Sequence, residues 1–466
     1  MTAGVRPPAA GPAPGPAAGE GGLAGLPPRQ QEAVARAWAH VDQRRLRELA
    51  VLVTSVPSPT GEERPLAEEL AARLREGGLD GRLQPLDDRQ ANAWGRLAGD
   101  GTGPSLMLYA PVDTFTVGTE EEDLPWIGPE LRPDMRPGAV VEGPYVTGLG
   151  ASNPKGHAAC VLAAAEAVAA AGTPLRGDLV AAFGAGGMPT NARPLPGRDR
   201  ADTGQGVGAS FLLEQGVWTD AAVIAKPGWA ASAAEVGLVW FDVWVGGTHT
   251  YVGSRHRLPY VNAVAQAATV VTGLEAWFER YAAAHTDAVV APQGVVSAIE
   301  GGWPRLAAAT PGRVRIRCDV RLAPGRSPAS LAREFRAAVA AIAGSTPGLD
   351  VAVETVLAIP GSATPADAWV VRSTVAAWEA AEGRPHQVPA GMSGATDANV
   401  LRNRGVPTVR IGMPKVGAAE PAPFEVDFAR GMNTVDVRDM ERLTRLLVRV
   451  AVDTCTRTFE ETGDRP

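Results

Sequence analysis

Three short apolar runs, Ser105 to Ala110, Asp178 to Phe183 and Ala221 to Ala225, constrain the fold of this chain most. Each is too short for a buried helix, and the first is bounded by Gly103-Pro104 and by Pro111. A strand apolar at successive positions has both faces covered, the signature of a sheet sandwiched between helices. Helical patterns surround these runs. Val34, Ala37, Trp38 and Val41, then Leu46, Leu49 and Leu52, recur at three- and four-residue steps. That helix stops before Pro57 and Pro59, and Thr60-Gly61-Glu62-Glu63 opens another through Leu74. Trp94 to Leu97 reads as a short strand, and Gly156 to Ala171 as a helix behind Pro154. The expected class is α/β, a mostly parallel mixed sheet flanked by helices.

The rhythm changes near Val236. Val239 to Val245 reads as a long strand and Asn262 to Ala283 as a helix. Arg313, Arg315, Arg317, Asp319 and Arg321 alternate with apolar residues on a half-exposed strand. Pro328 to Ala343 reads as a second helix with proline in its first turn, and Asp350 to Leu357 as a last strand. The pattern therefore places an inserted α+β domain at 237–354 between two parts, 29–236 and 355–466, of one α/β domain. Residues 1–28 are Pro-, Ala- and Gly-rich and read as a disordered tail.

Charge and cysteine usage narrow the function classes. A net charge of -7 argues against nucleic-acid and membrane-surface roles. No segment has the apolar length of a membrane span, and the N-terminus lacks the pattern of a signal peptide. Cys160, Cys318 and Cys455 have no CxxC spacing, which points to a reducing cytoplasm rather than a disulfide framework or zinc motif.

Five local phrases then occur in a telling order: Val56-Pro-Ser-Pro-Thr-Gly-Glu-Glu63; Gly150-Ala-Ser-Asn-Pro-Lys-Gly156; Gly246-Gly-Thr-His249 with Asn262-Ala263; Asp319-Val-Arg-Leu-Ala-Pro-Gly325; and Gly394-Ala-Thr-Asp397 with Gly405-Val-Pro-Thr408. Together they resemble the M20 family of aminoacylases and carboxypeptidases, from Leu46 to the C-terminus. The resemblance implies a zinc-peptidase-like catalytic domain and a lid domain, often used for dimerisation. It further implies two zinc ions about one water, held by two histidines and three carboxylates, with a glutamate as base. Two such cations lower the pKa of the shared water and polarise the scissile carbonyl.

The side chains that would do this are missing at the matching positions. Pro111 stands at the first histidine, although its orienting aspartate persists as Asp113. Asn153 replaces the bridging aspartate. Gly184-Ala-Gly-Gly-Met-Pro189 stands where paired glutamates belong, and Lys226 replaces an acid before Pro227. Near Asn433 the residues are Arg430, Gly431 and Met432, with no histidine. Only six histidines exist, and His40, His285 and His386 lie away from these phrases. The expected metal count is none, and zinc is not an expected cofactor.

What replaces the metals is cationic. Lys226, Lys155 and Arg430 suit an anionic substrate or a developing oxyanion. Alternatively, Lys226 pairs with Asp113 as a remnant ion pair. Asn153-Pro154 stands where the resemblance implies a cis peptide, and it equally suits a proline in a helix's first turn. His157 reads as a replacement acid or base, or as a first-turn helix residue that faces solvent or packs. His249 and the loop carrying Thr396 and Asp397 match substrate-binding positions in the resemblance, with Tyr251 as an alternative to His249. Arg193, Arg198 and Arg200 lie in a loop that either closes on substrate or covers surface.

The expected function is a metal-independent amidohydrolase acting on an amide, ureido or N-acyl C–N bond of a small anionic substrate. Asp113, Asn153, Lys226, Lys155 and His157 are the catalytic candidates. Two alternatives stay open: a non-catalytic ligand- or partner-binding relative, and a lyase or acyl-transfer enzyme on the same fold. A cytoplasmic homodimer joined through the lid is expected by analogy.

Overall fold

The structure, a computed structural model, describes residues 20–190, 201–416 and 428–463. The loop arginines Arg193, Arg198 and Arg200, and the tail before Glu20, lie outside these residues. The chain forms two compact units. One comprises residues up to Ala233, Thr364–Val388 and Thr396 onward; the other comprises Ala234–Ala363 and Pro389–Ala395.

The first unit opens with helices α1 (Pro28–Trp38), α2 (Gln43–Ser55) and α3 (Arg64–Glu76), then strands β1 (Asp80–Pro85), β2 (Ala91–Leu97) and β3 (Leu106–Pro111). It continues through α4 (Glu120–Ile127), β4 (Val140–Glu142), β5 (Tyr145–Thr147), α5 (Lys155–Ala170), β6 (Leu179–Gly184), α6 (Val207–Glu214) and β7 (Ala221–Ala225). The main sheet has the order β1-β2-β6-β3-β7 with a late strand added at the β7 edge. β3 pairs in parallel with β6 and β7, whereas β1 and β2 are antiparallel.

The apolar runs are apolar because each strand serves two cores. Leu106, Leu108 and Ala110 of β3 pack into the large cluster containing α5, and Met107 and Tyr109 face a second cluster with α6. Both faces are covered, as the unbroken hydrophobicity requires. The Ala-rich sequence of α5 favours helix and lets neighbouring elements approach closely, and nearly all of it is buried.

The second unit contains β8 (Ala234–Glu235), β9 (Gly237–Gly246), β10 (Thr250–Tyr251), α7 (Ala263–His285), β11 (Gly294–Gly301), β12 (Ala309–Thr310), β13 (Arg313–Leu322), α8 (Pro328–Gly344), β14 (Val351–Ile359) and β15 (Ser362–Ala363). β11, β13, β9 and β14 form an antiparallel sheet in that order. Val314, Ile316, Cys318 and Val320 face α7 and α8, while the arginines of β13 lie on the other face. There Arg317 makes a two-pronged pair with the fully buried Asp242, at 2.8 and 3.0 Å. The unit reaches past 354 because β14 runs on to Ile359 and β15 pairs with β8.

The first unit is completed by α9 (Trp369–Glu382), α10 (Ala398–Asn403), β16 (Thr408–Ile411), α11 (Phe428–Asn433), β17 (Thr434–Asp436) and α12 (Val437–Cys455). β16 is the added strand and pairs in parallel with β7. The stretch Glu20 to Leu26, grouped with the tail on composition, packs on this body. It forms a 3-10 turn, buries Leu26, and offers the Gly22 and Ala24 carbonyls to the Arg449 guanidinium.

Candidate functional site

The candidate residues of the first unit gather at the carboxyl ends of β3, β6, β7 and β16, where open α/β sheets bind ligands. They fall into two groups. One is acidic and sealed, the other cationic.

Asp113 lies just beyond β3 and is fully buried. Its carboxylate accepts from the Thr60 hydroxyl at 2.7 Å, Gly187 N at 2.8 Å and Met188 N at 2.9 Å. Lys226 is not among its partners, so the remnant ion pair is not formed. The Gly-rich segment after β6 turns its N–H groups inward and satisfies the acid in its place. Gly186 N and Gly61 N both donate to Glu63 Oε1 at 2.9 Å. Gln90 Nε2 reaches the same oxygen at 3.4 Å, while Glu63 Oε2 has no hydrogen-bond partner. Burial, followed by the charge of Asp113, pushes the Glu63 carboxyl up to about 8. Burial therefore favours the protonated form of Glu63.

Asp397, which precedes α10, is also buried and accepts the Tyr109 hydroxyl at 2.6 Å. Burial and the Asp397 charge raise the Tyr109 phenol well above its usual range. Thr396 is half-buried and accepts from Ala398 N. Both residues thus take part in contacts within the fold at the start of α10.

The cationic group forms around the loop before α5. Lys226 follows β7, and its Nζ donates to Asn153 Oδ1 at 3.2 Å. Lys226 is 5 % exposed and Asn153 half-buried, so the pair sits at the edge of the body rather than deep within it. Asn153 N and Ser152 N both donate to the Met432 carbonyl, and Gly150 N donates to Asn433 Oδ1 at 2.8 Å. The Asn153–Pro154 peptide is cis.

His157 and Lys155 are fixed by the fold. His157 Nδ1 donates to Ser152 O at 2.7 Å, and its Nε2 accepts from Met413 N at 3.1 Å. Burial pushes the imidazole down to about 3, with Lys226 and Arg410 adding to the effect, so it is neutral and has no ring nitrogen to offer substrate. Lys155 Nζ donates to Val56 O at 2.6 Å, at the C-terminus of α2 where a cation is favoured. Burial pushes this amine down to about 7.

His249 belongs to the second unit, is exposed, and places Nδ1 2.8 Å from Thr310 O. Arg430 lies on α11, but its side chain is outside the described residues. Sequence reading passed over Glu63, taken as a helix opening, and Tyr109, hidden in an apolar run. The one signal for Tyr109 was a hydroxyl in a doubly covered strand, which needs a partner.

Solved structures resemble this chain over nearly its whole length. A dinuclear metal-binding M20-family peptidase, YXEP from Bacillus subtilis, matches with a TM-score of 0.59 over 90% of this chain and 99% of its own, at 13% identity. The fold is that of the M20 peptidases. The dipeptidase Dug1p of Saccharomyces cerevisiae matches at TM-score 0.66 and 11% identity, over 90% of this chain and 98% of its own. A hydantoinase/carbamoylase family amidase from Burkholderia ambifaria matches at TM-score 0.55 and 17% identity, over 90% and 98%. No family model matches the sequence.

The donor set does not fit the dinuclear centre that the M20 fold implies. Among the described residues no group of three or more His, Cys, Asp or Glu side chains is arranged to hold a metal ion. Asp113 faces N–H and O–H donors, Glu63 Oε1 accepts from the Gly61 and Gly186 amides, and Asn153 faces an ammonium.

Two stability predictions arise here. Because Glu63 has a higher pKa folded than the usual 4.5, the folded state holds a proton that the unfolded chain releases between pH 4.5 and about 8. Its contribution to stability therefore falls as pH rises through that window and is flat above it. Glu63→Gln keeps the Oε1 bonds and removes this slope. Urea titrations at pH 5 and 8 should show the variant gaining on wild type by the order of a few kcal/mol at the higher pH. Tyr109→Phe should cost about 2 kcal/mol in the same assay, because Asp397 loses a buried hydroxyl donor.

Proposed function

We propose that this protein hydrolyses the C–N bond of a small anionic amide, ureido or N-acyl compound without a resident divalent metal, with Lys226 and Asn153 at the reacting carbonyl. The observation that carries this reading is the Lys226–Asn153 pair, a low-exposure ammonium held against an amide at the carboxyl end of β7. Water adds to the carbonyl and the C–N bond breaks, leaving a protonated amine together with a carboxylate from an amide or N-acyl substrate, or with a carbamate from a ureido one. In that sequence Lys226 donates to the oxyanion, and in a poorly hydrated cleft such a donor is worth far more than in water. The same charge, with Arg410 close enough to act on His157, favours an anionic substrate. The similarity in fold to Dug1p, a dipeptidase, and to the Burkholderia hydantoinase/carbamoylase family amidase supports C–N bonds as the target.

Asp113 is given a positioning role. With its oxygens engaged by Thr60, Gly187 and Met188, it positions the segment after β6. Lys155 likewise ties the Asn153 loop to α2. A cytoplasmic location is proposed from three buried cysteines, none in a disulfide.

A second reading, binding without turnover, is favoured by one observation: Asp113, His157 and Lys155 all direct their polar atoms into the protein. A panel of N-acyl and N-carbamoyl acids, assayed with a chelator present, separates the two. Chelator-resistant turnover of a panel member is expected. Absence of turnover on every member, together with a rise in Tm on adding one of them, would establish the binding reading instead.

A further inference from the structure

The acidic half of the cleft shows two features that the proposed reaction does not use: the direction of its hydrogen bonds and the closeness of its glycines. A divalent cation is held by lone pairs converging from several side chains. The segment after β6 offers the opposite, three successive N–H groups at Gly186, Gly187 and Met188 aimed at the oxygens of Glu63 and Asp113. Those oxygens are already engaged.

Nor is there room to put side chains back. A Cβ on Gly187 would lie 2.4 Å from Pro111 Cβ and 2.9 Å from Asp397 Oδ2. On Gly186, whose φ is +61°, it would lie 2.2 Å from the Thr203 carbonyl oxygen. On Gly184 it would lie 1.8 Å from the Tyr109 hydroxyl. The Gly186 obstacle is main chain, which no rotamer change relieves. The Gly184 obstacle is a ring anchored at both ends, by the strand and by Asp397.

We infer that the loss of the dinuclear centre is fixed in the main chain: the inward amides of 186–188 and the glycine packing beneath them bar a divalent metal even when ligand side chains are restored at 111, 153 and 226. The inference rests on the metal-independent reading above and goes beyond it, since side-chain replacement alone would be reversible.

The test uses the full-length chain carrying Pro111→His, Asn153→Asp and Lys226→Glu together. Wild type and variant are loaded with excess Zn²⁺, desalted, and analysed for zinc per chain, with Tm measured with and without the metal and circular dichroism reporting the fold. The expected result is substoichiometric zinc and an unmoved Tm in both. Stoichiometric zinc with a raised Tm in the variant alone would overturn this inference and leave the metal-free reading of the wild type standing. Stoichiometric zinc in the wild type would overturn both. If the triple variant does not fold, Asn153→Asp alone is loaded in the same way, with the same two readings. Gly187→Ala probes the packing directly: a Tm lowered by about 5 °C or more is expected, and an unchanged Tm overturns the argument from close approach.

Discussion

Replacing Asp113 by alanine is expected to destabilise the first unit by about 3–5 kcal/mol, the largest single-residue effect in the acidic group. The carboxylate is fully buried and accepts three hydrogen bonds, two of them from the main chain. Its removal leaves the N–H groups of Gly187 and Met188 facing a cavity without their acceptor. Unpaired buried donors cost more than the bonds themselves contribute when made. Asp113→Asn is the informative companion, because an amide retains one acceptor oxygen but aims two protons at other donors. It should fall between wild type and Asp113→Ala in urea midpoint. If both variants unfold at the wild-type midpoint, Asp113 does not hold the segment after β6.

Lys226→Ala should leave the fold nearly intact and lower kcat by about 10²–10³-fold on whichever panel substrate turns over, the usual cost of losing one oxyanion donor. Lys226 Nζ donates to the neutral Asn153 amide oxygen, a bond whose loss costs about 1 kcal/mol. A fall in kcat/KM through KM alone would instead mean that Lys226 only attracts the substrate. Lys226→Arg supplies the contrast. It keeps the charge but replaces a compact ammonium by a planar fork, so substrate attraction should survive better than turnover.

Much of the fold was legible because burial imposes local periodicity. The run Ser105 to Ala110 could be read as a covered strand since Leu106, Leu108 and Ala110 serve one core and Met107 and Tyr109 the other. Arg313 to Arg321 could be read as a half-exposed strand for the complementary reason. The candidate site was legible only in part. Missing ligands are visible as residue types, but what takes their place depends on contacts between distant segments. Gln90 meets Glu63 from 27 residues away, Gly186 from 123, and Asp397 meets Tyr109 from 288. No period or spacing encodes those pairings. The stretch Glu20 to Leu26 was misjudged for a related reason, because its composition is that of a tail while Arg449 and α12 supply the partners. His157 carried the type of a catalytic residue, and only the Met413 amide on its second nitrogen shows that it is fixed in place.

The account stands or falls on whether Lys226, rather than a metal, supports the reaction. The direct measurement is kcat on a responsive N-acyl or N-carbamoyl acid for wild type and Lys226→Ala, with zinc per chain quantified and a chelator present throughout. The account predicts wild-type turnover that survives chelation at substoichiometric zinc and falls by about 10²-fold or more in Lys226→Ala. Stoichiometric zinc, with turnover abolished by the chelator and unchanged by the substitution, would contradict it.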